Sequence, residues 1–240
     1  MARTAEWQLW DREGVADWIE DYWHANLREQ VHRDQLMDLC APYLPSRDLD
    51  VLEVGCGTGL IYQRLTQSLV PNERYTGVDI SEQMLAHARR KFPAGRFHQA
   101  SGYELPFADR ELDVVLSFEV VGHLPEVGPF LRELVRVARQ RTVFTVWPAQ
   151  DGPLRDGRAT ILGNAFLHRE YSHEYLMAEM RSHLGDQPLD LEVAILSAEC
   201  WAYILHRRQG PPGIALKRLY PIYGLAGRLV EAIARAQSEK

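Results

Sequence analysis

One short segment constrains the fold more than any other, the run VLEVGCGTG from Val51 to Gly59. Strand-forming apolar residues fill three of its first four positions, and Gly55, Gly57 and Gly59 follow at alternate positions. A helical pattern then begins at Leu60. A buried strand is therefore expected to enter a tight glycine turn and to leave it as a helix. Glycine permits positive φ and close approach of a ligand, and the N–H groups at the start of a helix favour an anionic group nearby.

The spacing of these glycines separates two kinds of nucleotide site. A dinucleotide-binding turn has the pattern G-x-G-x-x-G, whose third glycine would fall here at Leu60. The third glycine is instead Gly59, and an acidic residue, Glu53, precedes the first. The pattern E-x-G-x-G-x-G resembles motif I of the class I methyltransferases that depend on S-adenosylmethionine (SAM). An ordinary strand–helix turn is the alternative for this segment taken alone.

A second predicted strand ends in a carboxylate, Asp79, 20 residues after Gly59. A carboxylate at a strand end can accept hydrogen bonds from both hydroxyls of a ribose. The alternative is a turn residue that flanks the next helix. The distance from the glycine turn favours the ribose role.

Ser81 is expected to cap the helix that follows this strand, and Glu82 lies in its first turn, where the helix dipole favours an acid. The segment GVDISEQMLAHAR resembles the second motif of the same family. That resemblance implies that Ile80 and Met84 pack against the adenine ring.

A third strand near residues 96–100 leads into SGYELPF, which resembles the family's D-A-x-x-L-P-F. Ser101 and Gly102 replace the Asp-Ala pair that contacts adenine, so an uncharged hydrogen bond is what remains possible there. A fourth strand, 111–117, is continuously apolar after its acidic start, as in a strand covered on both faces. It leads into SFEVVGHL, where the family has its active-site mouth. The implied cofactor-binding residues are Glu53, Gly55, Cys56, Gly57, Thr58, Gly59, Asp79, Ile80, Met84, Ser101, Gly102, Tyr103, Phe118 and Glu119.

The resemblance runs from about residue 49 to residue 147 and implies an α/β fold. The expected architecture is a Rossmann-like, doubly wound, seven-stranded sheet, mostly parallel with an antiparallel edge pair. Alternating strand and helix patterns favour the same architecture independently. The expected division is an N-terminal helical lid segment over 1–45, a SAM-binding core over 46–208 and a C-terminal helical tail over 209–240, within one overall domain.

The N-terminal segment is rich in aromatic residues, with four of the six tryptophans before residue 24. Helical spacing predicts one helix from about residue 13 and another over about 29–41. The aromatic stripe either packs as core on the sheet or forms a lid over cofactor and acceptor. In the lid interpretation Tyr22 or Trp23 lines the pocket, since aromatic faces suit a sulfonium cation or a planar acceptor.

Two residues after the fourth strand are candidates for general base. His123 is the first, because its reference pKa is close to neutral, and Glu119 is the second. A structural histidine is the alternative for His123. Some quinone-type relatives carry Glu-x-x-Glu-His here and can bind a metal. This chain has Gly122 in place of the second glutamate, so we predict no metal.

The acceptor side is expected to continue beyond the fifth strand, which ends near Trp147. A loop is predicted over about 149–163, and Ser172 is expected to cap a helix that extends to about residue 183. Segments 189–197 and 200–206 favour a closing antiparallel pair. The family often has H-x-R-x-F-S in this region, which implies acceptor-side roles, with altered spacing, for His168, Arg169 and Tyr171.

Composition limits the class of substrate and the cellular compartment that we expect for this protein. The net charge of −6 argues against a nucleic-acid substrate, because phosphate binding needs a concentrated basic surface. Three scattered cysteines show no metal spacing and favour reduced thiols in the cytoplasm. The start is polar and acidic, unlike a signal peptide, and no apolar run approaches the ~18 residues of a membrane span.

The tail from residue 210 to residue 240 has apolar faces, and Pro221 predicts a division into two short helices. It is expected to dock on the domain or on a dimer partner, so a monomer and a homodimer both remain open. The alternative is an interfacial helix that lies on a membrane.

Together these features predict a SAM-dependent methyltransferase that acts on an O or N atom of a small molecule by in-line displacement. Carbon methylation remains open. A tRNA or protein methyltransferase is one alternative, and a SAM-binding protein without catalytic activity is another. Positioning of acceptor and methyl group is the main task of such an enzyme and can contribute ~7–11 kcal/mol.

Overall fold

A ten-stranded sheet forms the centre of the structure, a computed structural model that describes residues 5–221. Its strands are β1 (Val51–Val54), β2 (Tyr75–Asp79), β3 (Phe97–Gln99), β4 (Leu112–Ser117), β5 (Ala138–Pro148), β6 (Leu154–Ile161), β7 (Asn164–Tyr171), β8 (Pro188–Ile195), β9 (Trp201–Arg207) and β10 (Gly213–Pro221). Neighbouring strands follow the order β10-β8-β9-β5-β4-β1-β2-β3, and β7 joins the β6–β7 hairpin to β5. The pairs from β3 through β5 are parallel, whereas β9 runs antiparallel to both β5 and β8. The predicted Rossmann-like architecture is confirmed, with the seven expected strands and three more.

Within residues 5–221, six α-helices connect these strands or precede them. They are α1 (Val15–Ala25), α2 (Leu27–Cys40), α3 (Leu60–Ser68), α4 (Glu82–Lys91), α5 (Val127–Val137) and α6 (His173–Leu184). Side-chain oxygens cap three of them: Asn26 accepts from the Arg28 N–H, Ser81 from the Met84 N–H and Ser172 from the Tyr175 N–H. Each cap satisfies one N–H group that has no partner within its helix. The predicted caps at Ser81 and Ser172 are confirmed.

Both faces of the sheet are buried, as β4 illustrates. Val115 belongs to the apolar cluster that includes α5 and α6, whereas Val114 and Leu116 belong to the cluster that includes α2, α3 and α4. Successive side chains of a strand point to opposite faces. The continuous apolar run of β4 therefore reflects helices on both sides.

The β6–β7 hairpin occupies the region that the sequence predicted to be a loop. Its two-residue turn, Leu162–Gly163, has φ values of 49° and 74°, as a tight hairpin turn requires. Oppositely charged side chains face each other across it, with Asp156 paired to Arg169 and Arg155 to Glu170. The charged residues of this segment are cross-strand partners, and the loop prediction was wrong over 154–161.

The predicted helix after residue 210 is also wrong over its first part. Residues 213–221 form β10, which pairs in parallel with β8 at the edge of the sheet. An open strand edge offers unpaired main-chain groups, and pairing with them overrides a weak helical pattern. The rest of the tail, 222–240, lies outside the described residues, as does any contact that it makes. Among the helices of residues 5–221, none combines the length and the apolar character that a membrane crossing requires.

Candidate active site

The carboxyl ends of β1 and β2 bring the glycine turn beside Asp79. The Gly57 N–H donates to Asp79 Oδ2 at 2.8 Å, and the Ser81 N–H donates to Oδ1 at 2.9 Å. Burial raises the pKa of Asp79, and these N–H groups oppose the shift. A carboxylate offers about four acceptor positions, so Asp79 retains capacity for further donors. A Cβ built on Gly57, at φ 51°, would meet no atom within 4 Å, which leaves room for a ligand against the turn.

Other residues of the turn contribute through packing and the main chain. Both the Gly55 and the Cys56 N–H groups donate to the Val78 carbonyl, at 2.8 and 3.0 Å. Gly55 has φ 80°, and a Cβ there would lie 2.2 Å from Val120 Cγ2. Gly55 and Cys56 thus fix the turn rather than offer donors to a ligand. Gly59 begins α3 as its N-cap.

Two polar side chains of the motif are buried behind the turn. The Glu53 carboxyl accepts a hydrogen bond from the Tyr75 hydroxyl, and burial raises the pKa of Glu53 to about 8. The buried Thr58 hydroxyl lies beside the Glu20 carboxylate of α1. Glu53 is therefore bound by a protein group in this structure, whereas the Thr58 hydroxyl has no hydrogen-bond partner among the described residues.

The loop after β3 forms the turn in which an adenine contact was predicted. Ser101 Oγ accepts from the Tyr103 N–H at 3.3 Å, and the Tyr103 hydroxyl donates to the Glu126 carbonyl at 2.8 Å. Gly102 has no room for a side chain, since a Cβ would lie 2.4 Å from Phe130 Cε2. Phe118 is buried in the core. Apart from Ser101, these residues shape the loop rather than present polar groups.

The N-terminal segment lies directly against the start of α4. The Ser81 hydroxyl lies 2.8 Å from Asp11 Oδ1 and 3.0 Å from the Trp10 carbonyl oxygen, and the Gln83 N–H donates to the same Asp11 oxygen. Met84, a predicted adenine contact, is buried in a cluster with Val15 of α1. Neighbouring Ile80 accepts a hydrogen bond from Gln99 through its carbonyl. The N-terminal segment therefore lies over the start of α4, beside Asp79 and the carboxyl end of β2.

Trp10 is the aromatic residue of this segment that reaches the acceptor side. Its ring centroid lies 4.8 Å from that of His123 and 4.5 Å from that of Phe166. The two residues chosen from the sequence lie elsewhere. Tyr22 is 41% exposed and donates to Glu29, while the Trp23 carbonyl accepts from Arg33. Helical spacing pointed to α1, but Trp10 precedes that helix and carried no periodic signal.

His123 is enclosed by other rings. Its Nδ1 lies 2.6 Å from the Leu167 carbonyl oxygen, and its ring contacts Trp147, which in turn stacks on His168 at 4.2 Å. Burial lowers the pKa of His123 to about 4, although the Leu167 carbonyl opposes the shift. The imidazole is therefore neutral and weakly basic near pH 7.

Arg169 and Tyr171, also expected on the acceptor side, hold the segment after β4 in place. Arg169 is paired with Asp156 and donates to the carbonyls of Leu124 and Pro125. The Tyr171 hydroxyl donates to the Val121 carbonyl at 3.3 Å. The polar groups of both side chains therefore bind protein groups and hold the segment after β4 in place.

Glu119 has the most elaborate surroundings of the predicted catalytic residues. Its φ is 59°, a conformation that is strained for a side chain with a Cβ and is held by the bond from its N–H to Thr145 Oγ1. Trp147 Nε1 donates to Oε2 at 3.0 Å, and His32 Nε2 lies 3.2 Å from Oε1. Burial alone would raise the pKa of Glu119. The contacts with His32, Thr145 and Trp147 lower it by more, so the pKa lies below its usual value and the carboxylate is ionised.

A cavity of about 100 Å³ opens beside this carboxylate. Its wall includes Glu29 and His32 of α2, Glu119, Trp147 and Cys200. Glu119, Trp147 and Cys200 all lie at the carboxyl edge of β4 and β5, where the antiparallel β9 begins. No local sequence pattern identified His32 or Cys200, because 87 and 81 residues separate them from Glu119.

Comparison with known proteins agrees with this arrangement. The sequence model of a family described as "Methyltransferase domain" matches residues 52–146. A probable SAM-dependent methyltransferase of Mycobacterium tuberculosis is 35% identical over 158 residues, which are 66% of this chain and 53% of that protein. A demethylmenaquinone methyltransferase of Chlorobaculum parvum is 29% identical over 125 residues, 50% of this chain and 46% of that protein. The chain thus spans about half the length of the curated relatives it matches.

Solved structures show the same fold. A magnesium protoporphyrin IX methyltransferase of Synechocystis PCC 6803 with bound SAM has a TM-score of 0.63 at 18% identity, over 87% of this chain and all of that one. DesVI of Streptomyces venezuelae has a TM-score of 0.62 at 16% identity, over 80% of this chain and 98% of the other. With the glycine turn, Asp79 and the sheet order in place, residues 52–146 match a methyltransferase domain, and the chain has the fold of the class I SAM-dependent methyltransferases.

Proposed function

We propose that this protein transfers a methyl group from SAM to an oxygen or nitrogen atom of a small molecule. One observation carries the proposal: the Gly57–Asp79 pair and the cavity beside Glu119 lie along the same edge of the sheet. Ligands of open α/β sheets bind at this edge, outside the carboxyl ends of the strands. One part of the edge suits a cofactor and the neighbouring part suits an acceptor.

The residues on the cofactor side fit SAM. Asp79 keeps acceptor capacity for ribose hydroxyls, and the space above Gly57 admits a ligand against the main chain. The Ser101 hydroxyl can donate a hydrogen bond to a base. When bound, SAM supplies a methyl group on a positively charged sulfur, so the protein needs to orient the acceptor more than to activate the methyl.

The cavity supports a small acceptor. A volume of about 100 Å³ admits a functional group and little more. The net charge of −6 gives no support to a nucleic-acid substrate. The ionised Glu119 carboxylate can accept a hydrogen bond from an acceptor hydroxyl or ammonium and so hold that group in line. Of the two predicted bases, its charge and position favour Glu119 over the enclosed, weakly basic His123.

The cofactor role is tested by calorimetry with SAM on Asp79→Asn. We expect the affinity to fall about 10- to 100-fold, since hydrogen bonds to a charged group contribute ~1.5–3 kcal/mol. Asp113→Asn is the matched control. Asp113 is also a buried carboxylate that accepts a hydrogen bond from a main-chain N–H. It lies near the amino end of β4, away from the carboxyl ends of the strands where the site lies. Equal SAM affinity in wild type and Asp79→Asn would contradict the ribose role.

The acceptor class is tested with SAM labelled in its methyl group. Phenols, carboxylic acids and amines are compared with bulk tRNA and with denatured protein as acceptors. We expect label in the small molecules and a decrease of at least ~100-fold in kcat for Glu119→Gln. Label in tRNA or protein alone would overturn the small-molecule assignment. Tight SAM binding with no transfer to any acceptor would favour a SAM-binding protein without catalytic activity.

A further inference from the structure

Three side chains with metal-ligating atoms converge at the cavity beside Glu119. They are His32 of α2, Glu119 after β4 and Cys200 just before β9. His32 Nε2 lies 3.2 Å and Cys200 Sγ 3.8 Å from Glu119 Oε1, and all the ligating atoms lie within 4.8 Å of one another. We propose that these residues form a binding site for a single zinc-like divalent metal ion.

Two of the three spacings between ligand atoms come close to those around a tetrahedral ion, and the third, between His32 and Cys200, is within 4.8 Å. Zinc binds nitrogen and oxygen at about 2.0–2.2 Å and thiolate sulfur at about 2.3 Å, so its ligand atoms lie about 3.3–3.7 Å apart. The distances to Glu119 Oε1 depart from this range by about 0.1 Å on either side. Imidazole, thiolate and carboxylate together match a borderline-soft ion rather than Mg²⁺ or Ca²⁺, which prefer oxygen ligands.

The charges around the cavity also call for a cation. Glu29 and Glu119 share its wall with the Cys200 thiol. Arg28, the arginine on the same wall, is paired with Glu199. A divalent ion would neutralise this group and hold the thiol as thiolate.

Supporting contacts orient the central ligand. Trp147 Nε1 donates to Oε2 of Glu119 and Thr145 Oγ1 lies 3.2 Å from Oε1, so both oxygens of the carboxylate are held by neighbouring side chains. Such outer contacts are typical of metal ligands. Three protein ligands leave a fourth position, as in catalytic zinc sites, and here that position faces the cavity. Where the proposed function holds, it is the position that an acceptor hydroxyl or amine would take.

Metal analysis of protein without an affinity tag tests the site. We expect one zinc ion per chain after chelator treatment and titration with Zn²⁺. With Co²⁺, we expect a thiolate-to-cobalt charge-transfer band. Cys200→Ser should abolish that band, and both Cys200→Ser and His32→Gln should weaken zinc binding by more than about 100-fold, because loss of outer contacts alone costs about 10- to 100-fold. Cys40→Ala is the control, since Cys40 is a buried free thiol at the end of α2, outside the set of three.

The metal proposal and the proposed function fail separately. Wild type that binds SAM but takes up no zinc, or whose cobalt form lacks the band, overturns the metal site. That result would instead assign the His32–Glu119 contact to a simple ion pair. Zinc binding without SAM binding overturns the proposed function and leaves the metal site in place. A Cys200→Ser variant that folds and binds zinc as tightly as wild type also refutes the site.

Discussion

The region around Asp79 and the cavity beside Glu119 are held together by different kinds of contact. Around Asp79, main-chain groups of neighbouring segments make the contacts: the N–H groups of Gly57 and Ser81 bind the carboxylate. Around Glu119, side chains from distant parts of the chain make them, including those of His32 and Cys200. The first part is fixed by local backbone geometry, whereas the second exists only when the whole sheet has formed.

This difference predicts how each part tolerates change. A main-chain site depends on the absence of side chains, so added atoms should damage it most. A side-chain site depends on the chemistry of particular groups, so changes of charge or pH should damage it most. The mutations below test that contrast, together with the Asp79 and metal experiments.

The largest effect is expected for Gly55→Ala. Its Cβ would lie 2.2 Å from Val120 Cγ2, and φ is 80°. Overpacking and the left-handed backbone together should lower the free energy of unfolding by about 2–4 kcal/mol, measured by urea denaturation. Gly57→Ala is the matched control, because its Cβ meets no atom within 4 Å, and about 1 kcal/mol is expected. Equal losses would break the contrast between a packed and an open glycine.

The second effect concerns pH and His123. Its pKa is about 4 when folded and close to 6.5 when unfolded, so between these values the unfolded chain binds a proton that the folded chain does not. Stability from this group is therefore complete above pH 6.5 and falls as pH decreases, by about 3 kcal/mol at pH 4. The variant His123→Asn should lose about that much less between pH 7 and pH 4. Denaturation at both pH values checks this, and identical acid sensitivity would contradict the enclosure of His123.

The smallest effect separates two serine caps of similar geometry. Ser172→Ala should lower the free energy of unfolding by about 1 kcal/mol and leave SAM affinity unchanged. Ser81→Ala removes a similar cap and also the contacts with Trp10 and Asp11, so it should in addition alter SAM binding. Thermal denaturation and calorimetry measure both effects. Two variants that behave alike would show that the N-terminal segment is independent of the cofactor side.

The sequence predicted the main-chain part well, because its signals are local. The closely spaced Gly55, Gly57 and Gly59 indicate a turn by themselves. Ser81, two residues after Asp79, indicates a helix cap. The match to the methyltransferase domain family covers these segments. The roles assigned there to individual residues stay predictions until ligand binding is measured.

The side-chain part could not be predicted, since no local pattern joins residues 32, 119 and 200. The expectation that no metal binds rested on Gly122 within one short motif, and that motif holds only one of the three ligands proposed above. The hairpin β6–β7 and the edge strand β10 escaped prediction for a related reason. Their partners, β5 and β8, are chosen by the assembled sheet rather than by the strands' own residues.

The position of Trp10 and Asp11 over Ser81 bears on how ligands enter. Releasing them would break contacts of the Ser81 hydroxyl and the Gln83 N–H, while the hydroxyl's bond to the Met84 N–H could persist. We therefore expect the cofactor side to open when Trp10 and Asp11 move away from Ser81 and Gln83. Exchange of the demethylated cofactor for SAM would then require these few contacts to break. A bulky fusion at the amino end would change the rate of that exchange.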